Sequence, residues 1–569
     1  MKYILKYNLD KHDIIQDLLF KKGVKNPNKY INIDKTSENS PELFPNINEA
    51  CQLLIRHLEK GSKIYLQPDS DLDGYMSASM FYNYVKLISP NTEIVWEVHT
   101  GKQHGILLDK IPKDVQLAVF PDSATNNLEE HKALKEQGID VLILDHHASD
   151  QISQDAVIVN NQLCDYPNKY LSGGGVTYKF IQQLDKILGV NYSQQFIDLA
   201  AVSIVGDMMD LRDYENRYIV KQGLSKINNF GLKRLIEQQA YSIGDTSKLN
   251  PIAISFYIVP LVNAMVRVGT DSEKTLLLES FIDGQRVVPS TKRGAKGEFE
   301  NVATQSARNC VNARNRQNRL KEKAIEELDF KIQKNELFRN QLIFVTVEDS
   351  ENFDSTLTGL IAMNFLAKYK KPTIVARLDN NGYWKGSARG SNSTELKDLK
   401  SFFAESKLFN FVEGHAFAFG LSIHKDNVDK IVNYANDKLK DVEFNENVYE
   451  VDMIFSSRDS IDEVIEEIDS LKTVWGQGVE EPLIVVEDIK LDPSDVSFIG
   501  QEKNTVKFNH NGVSFVKFKD NDFVSKIKSM KDGFSITVLG KANMNEWNGN
   551  STPQLMISDY RLRDTYYDF

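Results

Sequence analysis

The sequence predicts an α/β protein: a parallel-sheet domain, a long connecting helix, a smaller α/β domain and a C-terminal β-barrel. Three observations predict it. Between Gly61 and Val159, apolar runs of four or five residues alternate with helical periodicity, the pattern of strands covered on both faces. Residues 301–333 contain neither Pro nor Gly and read as one polar helix joining two bodies. After Tyr449, short stretches alternate apolar with polar residues, as in a small barrel.

In order, Lys63–Gln67, Glu93–Val98, Leu117–Phe120, Val141–Leu144 and Ala156–Val159 read as the strands of the first sheet, with Tyr75–Ile88 as a helix between them. Gly173–Leu278 is mostly helical. In the second α/β unit, Gln341–Val347, Pro372–Leu378 and Tyr383–Ala388 are strands, and Thr356–Tyr369 and Val428–Leu439 are helices. Thr505–Phe508 and Val513–Phe518 alternate, with a phase change between Phe515 and Val516 that a bulge would accommodate. The expected divisions are an N-terminal extension over 1–60, the first α/β domain over 61–300, the connecting helix over 301–340, the second over 341–445 and the barrel over 446–569.

At 569 residues the chain has room for three or four domains of ~150 residues. With 41% hydrophobic and 26% charged residues it is neither disordered nor fibrous. Lys plus Arg number 68 against 80 for Asp plus Glu, a net charge of −12, so a polyanionic partner needs a local basic patch. Three cysteines without a CxxC pair exclude a disulfide framework and a Cys-based zinc site. Charge interrupts the first six residues, so there is no signal-like apolar region. The stretch Ile252–Val268 carries Asn263 and Arg267 and falls short of the ~20 residues of a membrane helix. A cytoplasmic protein with no membrane partner is expected.

The chemistry concentrates where strands end. Asp69-Ser70-Asp71-Leu72-Asp73-Gly74 follows the first strand and reads as three carboxylates on alternate residues of a strand end, aimed at one mouth. Alone, this pattern fits a solvated acidic turn or a calcium loop as well. It is repeated: Asp122 follows Val119-Phe120-Pro121, Asp145-His146-His147 follows Leu142-Ile143-Leu144, and Asp207 follows Gly206 at the close of an apolar run. Acids converging on one edge require a cation, and oxygen-rich ligation with one or two imidazoles suits Mn2+ or Mg2+ better than zinc. Two such ions ~3.5–4 Å apart activate water and stabilise a leaving oxygen in phosphoester hydrolysis.

This motif set resembles the DHH phosphoesterase superfamily, and later segments resemble its RecJ-type single-strand DNA exonucleases. Pro260–Gly269 is similar to the family's PRLNAxGRxG segment, with Leu261 in place of the first Arg. Gly386-Ser387-Ala388-Arg389 and Gly414-His415-Ala416-Phe417-Ala418-Phe419-Gly420 are similar to the GSxR and GGHxxAxG signatures of the second domain, with Glu413 in place of a Gly. Asn545–Gly549 followed by Pro553-Gln554-Leu555 resembles the closing strand of its OB-fold. The resemblance implies Asp71, Asp73, Asp122, His146 and Asp207 as ligands of two divalent ions, Mn2+ or Mg2+, with Asp122 bridging. It further implies Asp69, Asp145 and His147 as supporting catalytic residues, and Arg267 and His415 at the scissile phosphate. Ser387 and Arg389 would hold a terminal phosphate or the nearby backbone. Lys102 and His104, where a longer Arg-bearing segment is usual, would contact phosphate. Ser172-Gly173-Gly174-Gly175 reads either as close backbone packing at the site or as a flexible turn.

From Arg308 to Lys323 six basic residues stand against one acid, and Asn312, Arg316 and Arg319 fall at helical spacing, a face that can track a phosphate backbone or simply meet solvent. Phe508, Phe515, Phe518 and Trp547 read as stacking platforms or barrel core; Asn548 and Gln554 add hydrogen-bonding capacity. The leading function is a metal-dependent exonuclease on single-stranded DNA, 5′ to 3′ by resemblance, in recombination, repair or replication. The expected partners are single-stranded DNA and, in addition, a single-strand-binding protein or helicase, with the chain a monomer. The alternatives are a phosphodiesterase of short oligonucleotides and a non-catalytic single-strand-binding replication scaffold.

Overall fold

Residues ahead of the first sheet are built into the folded cores. The helix Ile14–Lys21 (α1) buries Ile15, Leu18 and Leu19 with Val24 and Tyr30 among C-terminal residues such as Trp475 and Ile484. The helix Ile47–Glu59 (α2) buries Ile47, Ala50, Cys51 and Leu54 against the first α/β core. The amphipathic pattern of each follows from these one-sided contacts. The computed structural model describes all residues except 11–12, 101–103, 247, 348–352, 354, 392–395, 397, 443, 445–447, 548–549 and 565–569. The chain divides into two compact units, one of Tyr3–Ala313 with Glu450–Phe569, the other of Arg314–Tyr449 with Met1–Lys2.

In the larger unit, Ile64–Leu66 (β1), Ile94–Trp96 (β2), Leu117–Pro121 (β3), Asp140–Asp145 (β4) and Val157–Asn160 (β5) form a wholly parallel sheet of order β2-β1-β3-β4-β5. Every residue of β1 and β3 is buried, which accounts for their unbroken apolar runs. Strand order reverses between β1 and β3, and in open parallel sheets the crevice beyond the carboxyl ends at such a point receives ligands. Around the sheet lie the helices Leu72–Ile88 (α3), Gly173–Leu188 (α4), Ile197–Gly206 (α5), Tyr214–Ser225 (α6) and Val259–Val268 (α7). The helical stretch Pro251–Val268, with a π turn at Ile254–Ile258, is long and apolar enough to cross a membrane by length and composition, and half of it is buried in the protein. Ile254, Ile258, Val262 and Met265 lie in the first core.

The same unit ends in a seven-stranded mixed sheet. Its strands are Met453–Ser456 (β11), Leu483–Leu491 (β12), Ser497–Ile499 (β13), Thr505–His510 (β14), Val513–Lys517 (β15), Phe534–Trp547 (β16) and Asn550–Asp564 (β17), in the order β11-β12-β16-β17-β15-β14-β13. β14 and β15 pair without a register shift, so no bulge separates Phe515 from Val516. Their loss of alternation has another cause: Val513, Ser514, Phe515 and Val516 are all buried, as in a strand covered on both faces. Register shifts occur instead between Leu539 and Gly540 and between Val486 and Ile489.

In the smaller unit, Ile343–Val347 (β6), Thr373–Leu378 (β7), Tyr383–Arg389 (β8), Phe409–His415 (β9) and Ala418–His424 (β10) form a sheet of order β9-β10-β8-β7-β6. The helix Val302–Lys334 (α8) contributes Ala307, Cys310 and Ala313 to the first core and Ala324, Leu328 and Ile332 to the core of this unit, where the helix Thr358–Tyr369 (α9) also packs.

Candidate metal centre

The acidic loop is not an extended strand end. β1 stops at Leu66, Asp71 is the N-cap of α3 with its Oδ1 accepting from Gly74 N at 3.2 Å, and Asp73 lies in the first helical turn. Capping, which satisfies helix N–H groups, aims Asp71, the first helical turn places Asp73, and β-pleat alternation plays no part. Asp122 follows β3 directly, in the left-handed region at φ 65°, and donates its N–H to Leu144 O at 2.8 Å. Asp145 is the last residue of β4, and Asp207 follows α5.

These chain ends bring the predicted residues together. Nε2 of His146 lies 3.2 Å from Asp122 Oδ1, 3.4 Å from Asp207 Oδ2 and 3.9 Å from Asp73 Oδ2. Three overlapping donor sets result: Asp73, His146 and Asp207; Asp69, Asp71 and Asp122; and Asp122, Asp145, His146 and His147, the atoms of each set within 4.8 Å of one another. His104, expected at substrate, places Nδ1 2.7 Å from Asp69 Oδ2. Lys102 lies outside the described residues.

The electrostatics are those of crowded, buried acids. Burial, then Asp73 and Asp71, drives Asp122 far above the carboxylate range. Burial and the same neighbours push Asp207 up to about 8, and burial with Asp73 and Asp69 raises Asp71. Asp145 behaves oppositely: burial pushes it up, but the hydrogen bond from His147 Nδ1 at 2.7 Å and that ring's charge outweigh burial and hold the carboxyl well below its usual range. The same bond lifts His147 to about 9. Asp145 also accepts from the backbone N–H groups of His146 and Thr125, so it orients the His147 imidazole and fixes the backbone that carries His146.

Asp69 Oδ1 and Asp122 Oδ1 are buried and make no hydrogen bond. Buried polar atoms are normally satisfied; these two carboxylate oxygens, of which Asp122 Oδ1 has the His146 ring 3.2 Å away without a hydrogen bond, find their natural partner in a cation. The donor set, mostly carboxylate oxygen with an imidazole, fits a hard divalent ion.

Several positioning groups carry no motif. Gly173 N and Gly174 N each donate to Asp73 at 2.8 Å, Ser203 Oγ donates to Asp73 Oδ1, and Ser172 Oγ is 2.5 Å from Ser203 Oγ. A Cβ on Gly173 would sit 2.4 Å from Asp122 Oδ1, so the glycine run is close backbone packing and not a flexible turn. Gln67 Nε2 reaches Gly105 O and lies 3.1 Å from His99 Nε2, setting the loop that carries His104. The only signal for Ser203 and Gln67 is a polar residue inside or ending an apolar run.

Residues 63–204 match the DHH family, N-terminal domain, and residues 451–559 match the RecJ OB domain. The chain is 36% identical over 564 residues to the putative SPbeta prophage-derived single-strand DNA-specific exonuclease YorK of Bacillus subtilis (strain 168), covering 98% of this chain and 96% of that protein. The chain belongs to the RecJ family of DHH proteins. It is also 25% identical to the single-stranded-DNA-specific exonuclease RecJ of Bacillus subtilis, over 96% of this chain and 67% of that one. The crystal structure of RecJ from Thermus thermophilus in complex with Mn2+ shares the fold, with a TM-score of 0.70 at 19% identity, covering 98% of this chain and 78% of that one.

Of the remaining RecJ-like positions, Arg267 stands half-buried on α7, one turn beyond Asn263. In the smaller unit Ser387 and Arg389 lie two apart on β8. Ser387 Oγ is 2.9 Å from Thr358 Oγ1, and a Cβ on Gly359 would fall 2.5 Å from Arg389 Nη2, so both meet the N-terminus of α9, where N–H groups favour anions. His415 is exposed at the end of β9.

The basic run on α8 is partly neutralised. Arg308 donates to Glu300 at 2.6 and 2.7 Å, Arg314 to Gln317, and Lys323 pairs with Glu327 at 3.7 Å. Asn312 and Arg319 are exposed and Arg316 half-buried. Phe508 and Phe515 are not stacking platforms: they stack on each other at 5.0 Å within the core. Gln554 is buried beside Met556, Phe518 is exposed, and the Trp547 side chain and Asn548 lie outside the described residues.

Proposed function

We propose that this protein is an exonuclease that hydrolyses phosphodiester bonds of single-stranded DNA from the 5′ end, using two divalent cations, Mn2+ or Mg2+, in DNA repair or recombination. The observation that carries the reading is the convergence of Asp73, Asp122, His146 and Asp207 with two unsatisfied carboxylate oxygens, in a chain whose RecJ-family relatives are named for this activity. Divalent cations bound there would supply Lewis acidity and ease deprotonation of the water that attacks phosphorus. The protein's own residues hold and orient: Asp71, Asp73, Asp122, His146 and Asp207 as ligands, Asp145 fixing the direction of the His147 ring and the backbone at His146. Arg267 and His415 supply donors to the scissile phosphate, and Ser387 with Arg389 a seat for the terminal one. Support for manganese or magnesium comes from the donor chemistry and from the Mn2+ complex of the Thermus thermophilus RecJ.

End-labelled single-stranded DNA, incubated with Mn2+, Mg2+ or chelator beside duplex and RNA controls, tests the reading. Mononucleotides should leave the 5′ end and chelator should stop their release. Asp122→Ala and His146→Ala should lower the rate at least about a hundredfold while retaining single-strand binding. Tight binding without cleavage under any metal would instead make the protein a scaffold.

A further inference from the structure

Beside the metal centre, on the other wall of the Asp207 turn, lies an apolar cavity of about 440 Å³ that the chemistry above does not use. Met208 and Met209 form one side, Ile252, Phe256 and Asn263 of the helix through α7 a second, and Gln477 of the C-terminal region a third. The walls are tied together, since Leu211 N donates to Gln477 O at 2.9 Å. The volume is that of a small-molecule pocket.

Three features mark it as a binding site. Met208, next to a predicted metal ligand, is 64% exposed, and its φ of 55° is that of the residue closing the C-terminus of α5, where Met208 N donates to Val205 O at 3.2 Å and Met209 N to Ile204 O at 3.0 Å. This helix end leaves Met208 on the cavity wall. Phe256 lies in the π turn Ile254–Ile258, an irregularity common at functional sites, and is 67% exposed while Ile254 and Ile258 are buried. Asn263, half-buried, brings an amide to the same wall.

The charges choose the occupant. Glu480 and Glu481 line the cavity with one cation, Lys541, and Lys541 already pairs with Glu481 at 3.3 Å. A phosphate is disfavoured. A neutral, flat group with apolar faces and a hydrogen-bonding edge is favoured, and it must reach within one residue of Asp207.

We propose that this cavity receives a nucleobase of the DNA strand within two nucleotides of the scissile bond, its face on Phe256 and Met208 and its edge toward Asn263. The pocket would then set the register of the strand by stacking, which tolerates any sequence. This assignment rests on the single-strand nuclease reading, so its test has an arm independent of cleavage.

In chelator, oligonucleotides carrying 2-aminopurine at successive positions from the 5′ end should be quenched on binding at one position within that window. Phe256→Ala should abolish the quenching and Phe256→Trp restore it; because Phe256 is exposed, an unchanged unfolding midpoint serves as the fold control. With Mn2+, an abasic site at the same position should slow the natural protein about five- to hundredfold and leave Phe256→Ala no slower than on intact DNA. Equal quenching in both proteins at every position, or an undiminished abasic penalty in Phe256→Ala, overturns the proposal. Failure of the natural protein to cleave with any metal overturns the nuclease reading instead, while the chelator arm still decides the pocket.

Discussion

Asp207 shows how one residue couples metal, proton and pH. Its carboxyl, pushed up to about 8 by burial and by Asp73 and Asp71, holds a proton near neutrality in the metal-free protein. A ligand must give that proton up, so cation binding is proton release. The sign follows: because the folded pKa is raised, this group favours the metal-free fold below the unfolded value of about 3.9 and loses that contribution as pH rises toward about 8. Mn2+ affinity should therefore rise with pH by up to about tenfold per unit for each proton displaced from Asp207 and its raised neighbour Asp122. Calorimetry in two buffers of different ionisation enthalpy counts the protons; affinity that stays flat from about pH 6.5 to 8.5 would refute the linkage. The acids of this centre were legible because they end strands or apolar runs. Ser203 and Gln67 were not, since a hydroxyl or amide inside an apolar run reads equally as a satisfied core group. Asp73 was legible as a candidate ligand but not in its geometry, because a helix N-terminus and strand alternation both place acids two residues apart.

At the scale of elements, the least legible part was residues 1–60, whose short amphipathic pieces have no partners in sequence. Their anchor is a buried polar network. Lys179 on α4, fully buried, pairs with Glu215 of α6 at 2.7 Å and with Glu38 at 3.1 Å, and Glu215 accepts from Tyr166 OH and Asn39 N. Removing one partner leaves the carboxylates buried and uncompensated, which is worth more than the pair itself contributes. Lys179→Met should destabilise the protein by about 3–5 kcal/mol in urea unfolding; a loss below about 1 kcal/mol would mean that the network relaxes to water. Elsewhere, the parallel strands were legible because burial on both faces makes each an unbroken apolar run. β15 was misread for the same physical reason, as double-sided burial erased the alternation that a bulge was invoked to mend.

For the whole molecule, the two-unit division separates two sets of proposed site residues. Every donor of the metal centre belongs to the unit of Tyr3–Ala313 and Glu450–Phe569, whereas Ser387, Arg389 and His415 belong to the unit of Arg314–Tyr449. The linear order of motifs singled out both sets as candidates, but not that the C-terminal sheet shares a unit with the first domain, since that depends on contacts among residues hundreds of positions apart. If the proposed nuclease reading holds, metal affinity and substrate handling are separable by mutation. Arg389→Ala and His415→Ala should leave Mn2+ affinity within about twofold, because neither residue belongs to the unit that holds the ligands. Both should lower kcat/KM at least about tenfold, the loss expected when a charge-assisted contact to phosphate is removed. The two should differ in kind. Arg389, against the N-terminus of α9, should act mainly on the preference for a 5′-phosphate over a 5′-hydroxyl, whereas His415→Ala should slow both substrates alike. Titration with Mn2+ beside kinetics on the two 5′ ends checks all of this. Equal losses on both ends for Arg389→Ala would remove that residue from the end-binding seat, and a drop in Mn2+ affinity for either variant would show that the smaller unit contributes to the ions' environment.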